Sequence, residues 1–202
     1  MTVIAITHET GTLGSGLAVM LARHFGLAYA GKGALENRVV ERLTETRAAY
    51  GGAVRANVLF DDLASVTDLT LSRHAADAVA EFAAYGNIVL RGWGATNILR
   101  TAPHVLRIRF VAPMSFRREV LAATCRGQSH RDFCQMISDS DRMLSTNQEP
   151  IFGPGWRFAT SYDLVLRSHQ LTLKQVTDLV EQALQEKSRA QAFNARSPSV
   201  VQ

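Results

Sequence analysis

Thr7-His8-Glu9-Thr10-Gly11-Thr12-Leu13-Gly14-Ser15-Gly16 follows a short apolar run, Val3-Ile4-Ala5-Ile6, and precedes a stretch in which Leu17, Leu21 and Phe25 recur every fourth residue. The continuous apolar run reads as a buried strand and the four-residue spacing as one face of a helix, so the decapeptide joins a strand to a helix. Its three glycines, Gly11, Gly14 and Gly16, permit positive φ and close approach. Successive N–H groups can then converge on an anion at the helix N-terminus, where the dipole adds attraction. A phosphate is the expected guest, because a tight turn alone needs fewer glycines.

Beyond this loop the chain alternates helices and strands. Residues 34–49 and 64–85 read as helices, the first broken by Gly51-Gly52 and the second ended by Gly86. Asn87 to Arg91 and the alternating Val105 to Val111 read as buried strands, and Pro113 marks the exit into a helix carrying Arg117, Arg118, Val120 and Leu121. A polar helix is expected over 129–144. The segment 149–156 holds two of the five prolines beside Gly153 and Gly155 and reads as a surface excursion. Tyr162 to Arg167 is the last strand. Thr172 and Gln175 match a capping box that opens a helix with Leu173, Val176, Leu179, Val180 and Leu184 on one face. Residues 1–187 are expected to form one domain, and the polar tail 188–202 to fray. Alternating strands and helices imply an α/β fold, a parallel sheet covered on both faces, with ligands outside the carboxyl ends of its strands.

Composition narrows the function classes. Twenty-two Lys and Arg against 18 Asp and Glu give a formal charge of +4, with the arginines dispersed through 202 residues. That pattern suits small phosphorylated ligands better than a nucleic-acid groove. No apolar run approaches the roughly 18 residues that span a bilayer, and the first residues lack the basic flank of a signal peptide, so no membrane partner and a cytoplasmic location are expected. Cys125 and Cys134 are nine apart; on one helix they would sit roughly 13 Å from each other on opposite faces, which predicts free thiols. His130 between them does not complete a zinc ligand set, so no metal site is expected from this segment.

Two nucleotide readings meet on the loop. Thr10-Gly11-Thr12-Leu13-Gly14 resembles the TGxxG start of atypical short-chain dehydrogenases, implying NAD(P) on a Rossmann fold. Against it, the chain has no Y-x-x-x-K, and Leu27 to Gly33 makes a poor second strand without an acidic residue to hold a ribose.

The other resemblance spans nearly the whole chain. Its order is strand, glycine loop, helix, FGLAY at 25–29, GNIVLRGWGATNIL at 86–99, HVLRIRFVAP at 104–113, Arg117, SDR at 140–142 and YDLVL at 162–166. In that order and spacing the chain resembles the cytidylate kinase-like family of P-loop proteins. The resemblance implies a three-layer P-loop kinase fold with a five-stranded parallel sheet and a phosphate-binding loop of His8, Glu9, Thr10, Gly11, Thr12, Leu13, Gly14, Ser15 and Gly16. An arginine-bearing lid at about 114–157 would complete it. It implies transfer of the γ-phosphoryl of ATP, or another nucleoside triphosphate, to a nucleoside monophosphate such as CMP or dCMP, with Mg²⁺. Catalysis of that kind is positioning and charge neutralisation. By family position Arg117, Asp141 and Arg142 would act at the phosphates, with Arg126 and Arg131 as further lid candidates. Lys32 and Arg91 are expected substrate contacts, and Trp93, between two glycines at a strand end, is expected either to stack on a base or to pack in the core or lid.

The departures shape the expected activity. A full phosphate loop reads G-x-x-x-x-G-K-[ST], whereas Gly14-Ser15-Gly16 stands where lysine and hydroxyl would fall, so no loop lysine reaches the β/γ-phosphates. Ser15 or Thr12 remains to coordinate Mg²⁺. His8 replaces a common family arginine, and the common G-R-x reads Gly92-Trp93-Gly94, with Arg91 one position earlier in its stead. Weak phosphotransfer is the leading expectation, and a nucleotide-binding regulatory pseudokinase the alternative.

Overall fold

A computed structural model describes residues 1–49, 68–125, 130–144, 149 and 154–196. In chain order these form β1 (Val3–His8), α1 (Gly14–His24), β2 (Ala28–Ala30), α2 (Lys32–Ala49), α3 (Asp68–Tyr85), β3 (Ile88–Arg91) and α4 (Ala95–Ile98). Then follow β4 (Val105–Val111), α5 (Met114–Thr124), α6 (His130–Met143), two 3₁₀ turns (Pro154–Arg157 and Ala159–Ser161), β5 (Leu164–Arg167) and α7 (Leu173–Arg196). The five strands make one sheet in the order β2-β3-β1-β4-β5, every pairing parallel.

Alternation along the strands builds two cores. Val3, Ala5, Ile88, Leu90 and Val105 pack with Leu35 and Val39 of α2 and Ala75 and Val79 of α3. On the other face Ile4, Ile6, Val89, Leu106, Ile108 and Phe110 pack with Leu21 of α1 and Val176 and Val180 of α7. The register sets Ile6 beside Arg91 and His8 beside Phe110, so the carboxyl ends of β1 and β3 and the α1 loop meet at the centre of the sheet.

This order rules out the dehydrogenase reading, because β1 lies between β3 and β4 whereas the dinucleotide fold runs 3-2-1-4-5-6. The weak second strand is real. Only three residues long, β2 is an edge held by the Ala28 N–H donating to the Asn87 carbonyl at 2.8 Å and by its register with β3. An edge strand needs little apolar character of its own. The Thr172 capping box forms, with the Gln175 N–H donating to Thr172 Oγ1 at 3.3 Å and the Thr172 N–H to Gln175 Oε1 at 2.9 Å. Leu173, however, lies outside the α7 stripe and is exposed.

α7 continues past Ser188 to Arg196. Ser188 Oγ donates to the Leu184 carbonyl at 2.9 Å, Arg189 pairs with Glu186 at 2.6 Å, and Lys187 reaches Asp163 at 3.1 Å. These contacts hold a polar segment helical. Residues 197–202 lie outside the described residues, as do Gly51, Gly52 and residues 150–153 of the proline-rich excursion. Cys125 ends α5 and Cys134 lies on α6, so the two share no helix; both are free and half-buried.

Candidate functional site

Two glycines of the loop are required by what packs on them. Gly11 has φ +82°, and a Cβ there would lie 2.5 Å from the Arg117 carbonyl oxygen, so only glycine lets α5 press on the loop. At Gly14 a Cβ would collide with the Cβ of His8, so the missing side chain makes room for the imidazole. Leu13 sits at the left-handed φ of 61° at the head of α1, and no side chain caps that helix. The N–H groups of its first turn lack intrahelical acceptors, Ser15 and Gly16 are exposed, and nothing lies within 4 Å of a Cβ built on Gly16. The loop is therefore an open cradle of donors suited to phosphate oxygens.

Beside the cradle, Arg91 on β3 donates through Nη1 to His8 Nε2 at 3.0 Å and through Nε to the Tyr29 hydroxyl at 2.8 Å. Arginine only donates, so His8 Nε2 is an acceptor and the proton resides on Nδ1, which donates to the Glu9 carbonyl at 3.0 Å. Ser15 Oγ donates to the same Nε2 at 3.2 Å. His8 is thus a neutral imidazole, and burial above all, with the neighbouring Arg91 charge, holds its pKa below the ordinary 6.5 despite the Glu9 carbonyl.

On the other side of the loop the charges are paired. Arg109 Nη2 donates to Glu9 Oε1 at 3.0 Å, and its guanidinium lies 5.4 Å from the Trp156 ring centre and 5.8 Å from that of Tyr162. Its Nη1 donates to the Trp156 carbonyl at 2.8 Å, and so does the Tyr162 hydroxyl, at 2.7 Å. Burial pushes the Tyr162 phenol up. Arg117, buried on α5, forms a bidentate pair with Asp141 at 2.8 and 2.6 Å. Its Nε donates to the Thr10 carbonyl at 2.7 Å, and Glu9 Oε2 lies 3.7 Å from Nη1. Thr10 and Ser140 hydroxyls share a bond of 2.5 Å, so α5 and α6 both clasp the loop.

The structure therefore gathers residues 8–16, Arg91, Arg117 and Asp141. Arg142 is exposed and pairs with Asp139 at 2.9 Å. Arg131 is exposed near the start of α6, and Arg126 lies outside the described residues. Lys32 opens α2 with its ammonium exposed and 3.3 Å from Glu36; its Cβ would lie 3.5 Å from a Cβ at Gly92. Trp93, at φ 48°, is only 7% exposed and packs in the α2–α3 core. A ring buried there exposes little surface to a base.

Sequence reading missed Arg109, Tyr29 and Ser140. Arg109 carried a signal: with Arg107 it interrupts the apolar pattern of a central strand in a sheet covered on both faces, where such charges must be paired.

The donor set separates two groups that the fold class implies. A triphosphate fits the open cradle. Mg²⁺ takes oxygen ligands and in P-loop proteins is held by a loop hydroxyl with an acidic partner. Thr12 is buried and its hydroxyl donates to the Glu9 carbonyl at 2.6 Å, so it offers no site. Ser15 faces His8 and Arg91, and Glu9, the single carboxylate of the loop, is directed to Arg109 and Arg117. These residues do not fit a magnesium ion.

Comparison with known proteins places this geometry. A crystal structure of an uncharacterised protein from Eubacterium ventriosum superposes with a TM-score of 0.70 at 16% identity, covering 92% of this chain and 98% of that one. A phosphorylated-GDP complex of YorR from Bacillus subtilis gives 0.53 at 9% identity, covering 93% and 98%. Shikimate kinase from Bacteroides thetaiotaomicron gives 0.52 at 10%, covering 89% and 98%. At such identities the likeness is one of fold, the P-loop kinase architecture. Among curated proteins none matches. The sequence profile of the cytidylate kinase-like family matches residues 3–170, by far the greater part of the chain, and the protein accordingly belongs to the cytidylate kinase-like family.

Proposed function

We propose that the protein is a nucleoside-triphosphate-dependent phosphotransferase with a nucleoside monophosphate such as CMP as acceptor, and that it turns over slowly. The observation that carries this reading is the open donor cradle at Leu13–Gly16, between the β1 end and α1, with Arg91 alongside. In it the first-turn N–H groups of α1 would hold the β- and γ-phosphates, and bound ATP would supply the transferable phosphoryl group. Arg117 is a positioning residue, since its donors are engaged with Thr10, Asp141 and Glu9. Arg91 is the cation offered to the phosphates.

Slow turnover follows from the loop. Gly14 occupies the lysine position, and the His8 ring fills the space where a side chain would start. Losing one preorganised cation at a transferring phosphoryl costs roughly 3 kcal/mol, about 100-fold, which takes a kinase of 1–100 per second to roughly 0.01–1 per second. The same pairing of Arg109 and Arg117 with Glu9 and Asp141 favours a second reading, a nucleotide-binding protein that does not turn over.

Nucleoside diphosphate formation from ATP, followed by coupled ADP release with CMP, dCMP, UMP and AMP, tests the proposal. Slow, ATP-dependent CDP formation is expected. Turnover of tens per second would refute this account of the loop, and ATP binding without any product would establish the second reading.

A further inference from the structure

We infer that Arg91 takes the place of a divalent cation in the loop, so that the triphosphate binds as the metal-free polyanion. The inference rests on the cradle being the triphosphate site. Arg109 and Arg117 each have a carboxylate partner, whereas the partners that hold Arg91, the Tyr29 hydroxyl and His8 Nε2, are uncharged. A guanidinium has five N–H donors, and these bonds use Nε and one hydrogen of Nη1, leaving donors for phosphate oxygens.

The same residues exclude a cation. Ser15 is the exposed loop hydroxyl, and His8 Nε2 is shared between it and Arg91 at 3.2 and 3.0 Å. A divalent ion at Ser15 would therefore stand within about 8 Å of a full positive charge, and the two like charges repel. The loop carboxylate that would offset this is turned to the opposite side, 3.0 Å from Arg109. An anion in the cradle meets the reverse: a guanidinium, the first-turn N–H groups of α1 and the positive end of its dipole. His8 completes the arrangement as a neutral acceptor that aims Arg91 without cancelling its charge.

Calorimetric titration of the full chain with ATP, in EDTA and in Mg²⁺, decides the matter, using wild type, Arg91→Gln and Arg91→Lys, each checked for folding by circular dichroism. Wild type should bind ATP with affinities within about threefold in the two buffers. Arg91→Gln should lose about tenfold or more in EDTA, the effect of one charge-assisted contact, and Arg91→Lys should keep most of the affinity. Wild-type affinity that rises tenfold or more with Mg²⁺ overturns the inference and leaves the triphosphate site standing. Metal-independent binding that Arg91→Gln does not weaken also overturns it. Absence of ATP binding in both buffers overturns the inference and the proposed site together.

Discussion

Replacing Arg117 with alanine separates a clasp on the loop from a group that reaches phosphate. The substitution removes the Nε bond to the Thr10 carbonyl at 2.7 Å, the bidentate pair with Asp141 and the weaker approach to Glu9 at 3.7 Å. The Thr10 bond is sheltered and involves a charged donor, so it contributes about 1.5–2 kcal/mol. The Asp141 carboxylate is 39% exposed, so its share is discounted for screening to about 1 kcal/mol. The total, about 3 kcal/mol, lowers Tm by roughly 6–12 °C in a chain of this size. Urea unfolding should show a lower midpoint at unchanged m, and ATP affinity should fall because the loop is no longer held. Asp141→Asn should cost about 1 kcal/mol, and the double variant should show coupling between the two positions. A full loss of turnover with Tm and ATP affinity unchanged would refute this reasoning, because it would mean that Arg117 reaches the transferring phosphoryl group.

Other perturbations follow from the same contacts. Because burial holds His8 below 6.5, its neutral form contributes stability that is complete above pH 6.5 and is lost as the pH falls through its lower folded value; His8→Gln should flatten the loss of stability between pH 7 and pH 5 in denaturant titrations. Gly14→Ala should destabilise by about 1–3 kcal/mol, since its Cβ collides with His8, whereas Gly16→Ala, with open space and a helical backbone, should be neutral or stabilising by about 0.5–1 kcal/mol in the same measurement. Trp93→Ala should cost about 3–5 kcal/mol by cavity formation without altering the preference among nucleoside monophosphates; a changed preference would show that the ring stacks on a base.

The fold was legible because its signals are local. An apolar run, a glycine loop and four-residue spacing specify β1, the loop and α1, and the alternation in Val105 to Val111 gives β4 to the residue. The β2 edge escaped because three residues paired only through β3 carry no pattern of their own. The site was half legible. Loop glycines announce a close approach, but nothing in the sequence says that Gly11 faces the Arg117 backbone or that Gly14 faces His8. Arginines read as phosphate ligands differ only in their partners: Asp141 lies 24 residues from Arg117 and Tyr29 lies 62 from Arg91, and pairings at that separation are set by topology. Trp93 shows the limit of composition, since two flanking glycines fit a displayed ring as well as a left-handed turn that buries it.

The measurement closest to the central claim is an amide ¹H–¹⁵N titration of the protein with ATP and with inorganic triphosphate. With both ligands on the first turn of α1, the amide signals of Leu13, Gly14, Ser15 and Gly16 should move with either ligand and saturate at the same occupancy. Shifts confined to other parts of the chain, or none in this loop at saturating ATP, would contradict the assignment of the cradle as the triphosphate site.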